Sequence, residues 1–254
     1  MPTNNETWLA QQVRISIFPK LESFDATLDL WPQVEGLEKE KQTIDSKTGG
    51  SVYEGNFNKH KLVLTVNPVK IDLTLTIEAP AHVENGITVA DSLGNVDDTL
   101  KEFSIIVESW LNSKNIPDVI RVAFGAFLVE SVSSRKEAYE KITKYVPIKL
   151  DSSKMGDFSL QLNLFAKSKI IKDLDLNRLT KWGVLKLTPS LSTINNPQMI
   201  HEYPTINLSH VELDVNTSQE NIEPLQKKLL FSLYSELTKL GTDLSEKGIT
   251  NYVK

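Results

Sequence analysis

Cysteine is absent from the 254-residue chain, which excludes disulfides, thiolate zinc sites, iron–sulfur clusters and a cysteine nucleophile. A reducing cytoplasm is the natural setting for such a chain, and a cytoplasmic location is the expectation. Met1-Pro2-Thr3-Asn4-Asn5-Glu6 carries neither a basic nor an apolar leader-like region. The longest apolar run, Val122 to Val129, is far shorter than the roughly 20 residues a helix needs to span a bilayer. No membrane association is therefore expected.

Surplus basic charge is also lacking. Lys and Arg number 28 against 33 Asp and Glu, for a net charge of −5, which argues against broad attraction to phosphate backbones. The Walker A loop, the G-x-G-x-x-G turn, the G-x-S-x-G elbow, the H-E-x-x-H helix and the EF-hand loop are all missing, so the common nucleotide, hydrolase and calcium signatures give no support to an enzyme. No cofactor and no catalytic residue is indicated.

What the chain does hold is core material. Hydrophobic residues make up 40% of it and charged residues 24%, the balance of an ordinary folded domain. Val13, Ile15 and Ile17 alternate with polar neighbours as a half-buried strand ended by Pro19. Residues 36–59 turn polar, with Glu38-Lys39-Glu40-Lys41 and Gly49-Gly50, and are expected as a hairpin tip or exposed loop. Leu62, Leu64 and Val66 hold one phase and Val69, Ile71, Leu73, Leu75 and Ile77 the other, so Asn67-Pro68 requires either an edge bulge or the turn between two paired strands.

Asp97-Asp98 opens a helix whose stripe is Leu100, Phe103, Ile106, Val107, Trp110 and Leu111, ending before Pro117. Val119 to Val129 is apolar on both faces except at Arg121, the pattern of the most buried strand, and Gly125 within it implies a close approach or a bulge. Ser134 and Glu137 make a capping box for a helix with the apolar stripe Ala138, Ile142, Tyr145 and Val146, closed by Pro147. Phe158, Leu160, Leu162 and Leu164 alternate with polar residues as a strand, and Trp182 to Leu187 is a further one. A change of phase between Leu208 and Val211 predicts a bulge at Ser209-His210. Pro224 is expected at the start of a last long helix carrying Leu225, Leu229, Leu233, Leu237 and Leu240, with Gly241 or Gly248 ending it. The expected fold is α+β: a largely antiparallel sheet with about three amphipathic helices on one face, read as a single domain over 1–254. Strands followed by a helix in each half suggest two pseudo-repeated halves divided near 116–118, although no residue-level repeat accompanies them.

Two clusters could carry chemistry. Strand alternation puts His210, Glu212, Asp214 and Asn216 on one face, with alternate residues roughly 6–7 Å apart, so His210, Glu212 and Asp214 form a candidate metal site for a hydrolase or nuclease. The plainer reading is a solvated strand face. Lys167, Lys169, Lys172 and Arg178 form a candidate nucleic-acid patch, diluted by Asp173 and Asp175 and lacking an aromatic stacking pattern. His201-Glu202 is a conceivable acid/base pair in a loop, and Arg121 in its apolar strand must find a partner.

His210-Val211-Glu212-Leu213-Asp214-Val215-Asn216-Thr217, followed by the segment from Pro224 to Glu246-Lys247-Gly248, resembles the C-terminal part of an uncharacterised, sporadically distributed bacterial protein family. The resemblance covers about the last fifth of the chain and brings no active site with it. It implies, by association, mobile-element or phage-defence biology. The function read from the sequence is a non-enzymatic binding or assembly subunit that meets another protein, or itself, through exposed edges and the polar loops at 36–59 and 81–97.

Overall fold

The computed structural model describes residues 8–25, 28–45, 50–77, 82–84, 87–89, 91–187, 190–193, 196–202 and 205–253. Its strands are β1 (Leu9–Pro19), β2 (Lys41–Asp45), β3 (Gly50–Phe57), β4 (His60–Asn67), β5 (Lys70–Thr76), β6 (His82–Glu84), β7 (Ile87–Val89), β8 (Gly94–Asn95), β9 (Val119–Val132), β10 (Phe158–Lys167), β11 (Asp175–Leu187), β12 (Ser190–Thr193), β13 (Asn196–Glu202) and β14 (Ile206–Thr217). The helices are α1 (Val96–Leu111), α2 (Arg135–Ile142) and α3 (Leu230–Lys247). Ten strands form one antiparallel sheet in the order β10-β11-β14-β9-β1-β5-β4-β3-β2, with β8 beside β1. Two small hairpins, β6-β7 and β12-β13, stand apart from it.

That order has an internal symmetry. In the first half β1, β3, β4 and β5 precede α1; in the second β9, β10, β11 and β14 precede α3. In both, the first strand lies at the central seam and the other three follow outward in reverse chain order. The two leading strands, β1 and β9, pair antiparallel and join the halves. One continuous core runs through both, from Leu62, Leu73 and Ile15 to Phe124, Val211 and Trp182.

The helices cover one face. Gly241 of α3 lies so close to Phe124 and Val215 that a Cβ there would meet the Phe124 ring at 2.7 Å, so the missing side chain lets the helix settle on β9 and β14. Ser209 of β14, on the same face, donates its hydroxyl to the Ala138 carbonyl of α2 at 3.1 Å. The Ser134 side chain caps α2 by accepting from the Glu137 amide, while the Glu137 carboxylate accepts from Ser133. Helix α2 is shorter than its apolar stripe, and Tyr145 and Val146 follow it in turns. Tyr145 stacks on Trp182, and Trp8 packs against both.

Four local expectations need correction or resolution. Residues 36–59 follow the hairpin alternative rather than the exposed loop: β2 and β3 pair within them, and residues 46–49 lie outside the described residues. Tyr53 and Gly55 pair with Leu64 and Leu62, and Trp31 lies over Gly55, so a segment poor in apolar residues still contributes to the core. The phase change at Asn67-Pro68 is the turn of the β4-β5 hairpin, which returns Ile71 to the face of Val66. No bulge interrupts β14 at Ser209-His210: its registers with β9 and β11 are unbroken. Ile206 and Leu208 instead face the other side and join Val129 in a small second core. Helix α3 begins at Leu230, after a short turn over Lys227–Leu229, rather than at Pro224, and ends at Gly248, whose φ of +66° suits glycine.

Candidate functional site

On the face opposite the helices, the outward residues of the central strands form a polar floor. Successive strands place Asn177, Asn216, Ala123, Ser16 and Asp72 in one row and Leu179, Asp214, Gly125, Arg14 and Thr74 in the next. A depression of about 250 Å³ opens over the second row and its neighbour, between Gln12, Arg14, Phe127, Lys181, Glu212 and Asp214. Gly125 is the close approach anticipated in β9: the Arg14 guanidinium lies against it, 3.0 Å from where a Cβ would stand.

The charges on this floor are tied to one another. Arg14 lies between two carboxylates, with Nη2 3.6 Å from Asp214 and Nε 4.0 Å from Asp72. Asp72 also receives Lys70 at 2.8 Å and the Ser16 hydroxyl. Asp214 accepts from the Asn216 amide at 2.7 Å, and Asn216 in turn accepts from Arg121 at 2.8 Å and Asn177 at 3.3 Å. Arg121 thus finds an amide rather than a carboxylate, donates also to the Thr217 carbonyl at 3.0 Å, and stacks over Phe18. Lys181 is 2.8 Å from Glu212.

The three candidate metal ligands share this face as expected, but they do not converge. His210 is buried against Phe127 and Gly183, with Nε2 3.8 Å from Glu212. Burial pushes its pKa down against the opposing pull of Glu212, so the imidazole is neutral at pH 7. Asp214 points into the Arg14 and Asn216 contacts instead. Among the described residues, no group of three or more His, Asp and Glu side chains is arranged to hold a metal ion.

The basic residues are dispersed. Lys167 pairs with Asp175 at 2.7 Å on one face of the sheet, while Arg178, opposite Leu164, lies on the other and stacks on Tyr252. The Lys169 amide donates to Glu236, and Lys172 is exposed in the same loop. His201 and Glu202 fall in β13, not in a loop, and their side chains lie outside the described residues. Arg14 and Lys181, central to the floor, were not singled out from the sequence; the only signal was their place on the polar phase of strands.

The sheet has two ends. At one, β2 is five residues long and begins with Lys41. At the other, β10 runs ten residues and pairs only with β11 among the described strands. Phe165 on it is 78% exposed. No protein-family model, curated protein or solved structure gives a significant match to this chain. Its function must be argued from its own geometry.

Proposed function

We propose that the protein is a non-enzymatic binding or assembly subunit of a cytoplasmic protein complex, docking through its open sheet edge. The observation that carries this reading is β10: a long, regular terminal strand whose outward backbone groups are a template for another strand. Phe158 to Ala166 contains no proline or charged residue, devices by which monomeric sheets guard an edge, although Arg178 of β11 donates to the Phe165 carbonyl at 3.3 Å. The polar floor supports the same reading from the other side. Its acids are engaged by Arg14, Lys70 and Lys181, an arrangement that stiffens five neighbouring strands and suits a scaffold better than proton transfer. The likeness of its C-terminal segment to a sporadically distributed bacterial family is the reason to seek the complex in mobile-element or phage-defence biology.

Native mass spectrometry of the protein, gently affinity-purified from cells that produce it, tests the proposal. A defined assembly with reproducible stoichiometry is expected. A lone chain carrying a stoichiometric metal ion or nucleotide would overturn it and make Glu212→Ala the next variant to test for lost metal binding.

A further inference from the structure

Strand β10 is not only open but self-complementary. From its register with β11, Phe158, Leu160, Leu162, Leu164 and Ala166 face the helix side, and Ser159, Gln161, Asn163 and Phe165 the other. The leucines are only partly buried within one chain. If the strand pairs antiparallel with its own copy about a twofold axis at Leu162, the pairing matches on both faces. Leu160 then faces Leu164 of the partner subunit, Leu162 faces Leu162 of the partner subunit, and Phe158 faces Ala166 of the partner subunit. On the polar side, Gln161 meets Asn163 of the partner subunit, and Ser159 meets Phe165 of the partner subunit.

The ends match as well. Just before the strand, Asp157 is fully exposed and 3.6 Å from Arg135, and Lys167 at its other end is largely exposed beside Asp175. The same axis brings Asp157 opposite Lys167 of the partner subunit, twice by symmetry. One patch thereby satisfies itself, the requirement of an isologous interface. The β2 edge would also set Lys41 opposite Asp45 of the partner subunit, but it is half as long and carries one apolar residue, Ile44, against the leucine row of β10.

Resting on the assembly reading above, we infer that the partner at β10 is a second copy of this chain. The two sheets join edge to edge through β10 into one continuous sheet, with both sets of helices on one side and both polar floors on the other. Apolar contacts along Leu160, Leu162 and Leu164 supply the association, since the exposed ion pairs contribute little. The ion pairs fix register.

Sedimentation velocity of the purified full-length chain, over a range of concentrations, is the test. The wild type sediments as a dimer, and Leu162→Lys, which sets two ammonium groups at the axis, weakens dimerisation at least tenfold. Because the native chain has no cysteine, single cysteines report the register without background. Under mild oxidation Leu162→Cys gives a disulfide-linked dimer, whereas Ser159→Cys does not, its twin standing roughly 20 Å away along the paired strands. A monomeric wild type at every concentration, or a dimer indifferent to Leu162→Lys, would overturn the inference. A monomer that nevertheless co-purifies with a different protein would remove the second copy and leave the assembly reading standing.

Discussion

Two glycines on the open face separate tight contact from tolerant contact. At Gly183 a Cβ would collide with the buried His210 ring and stand 2.9 Å from the Phe158 carbonyl. Neither neighbour can retreat easily, so Gly183→Ala should cost about 1–3 kcal/mol, seen as a lower urea midpoint at unchanged slope. At Gly125 the contact is the end of the Arg14 side chain, which can swing aside, and Gly125→Ala should cost less than about 1 kcal/mol. His210 adds a pH dependence. Its folded pKa is depressed by burial, as is that of His60, so the unfolded chain takes up protons first as pH falls. The stability these residues allow is complete above the unfolded value of about 6.5 and declines below it towards the folded values. Urea midpoints measured between pH 7.5 and 5.5 should fall, and His210→Gln should flatten the fall. An identical pH slope in the variant would contradict the assignment.

At the scale of elements, caps and close approaches decide which helices hold. The Ser134 hydroxyl accepts from the Glu137 amide, so Ser134→Ala should destabilise the protein by about 1 kcal/mol in chemical denaturation. Gly241→Val should cost more, about 1–3 kcal/mol, because it forces α3 off the Phe124 ring. The capping box and the apolar stripe of α1 were legible because they are local patterns of spacing. The burial of the β2-β3 hairpin was not, because what buries Tyr53 and Gly55 is contact with Leu64, Leu62 and the distant Trp31. The phase change in β14 was legible but misread: periodicity reports which residues are buried, and cannot tell a bulge from a strand covered in part on both faces. His210, Glu212 and Asp214 were correctly placed on one face by alternation. Their partners Lys181 and Arg14 come from other strands, and only strand order could supply them.

For the whole molecule, the symmetry of the sheet places β3 and β10 at corresponding positions in the two halves, each reached outward from the seam through two strands and a leading strand. Among the described strands, the first half extends past that position with β2, whereas the second ends at β10. In the proposed assembly it is the β10 edge that meets a neighbouring chain. Hydrogen exchange comparing wild type with Leu162→Lys at equal concentration tests this most directly. Slow exchange in the wild type at the alternate amides of residues 158–167 that point away from β11, fast exchange at those amides in the variant, and the same rate in both for residues 41–45 are predicted. Exchange at those outward amides as fast in the wild type as in the variant would contradict the claim that β10 is where the chain assembles.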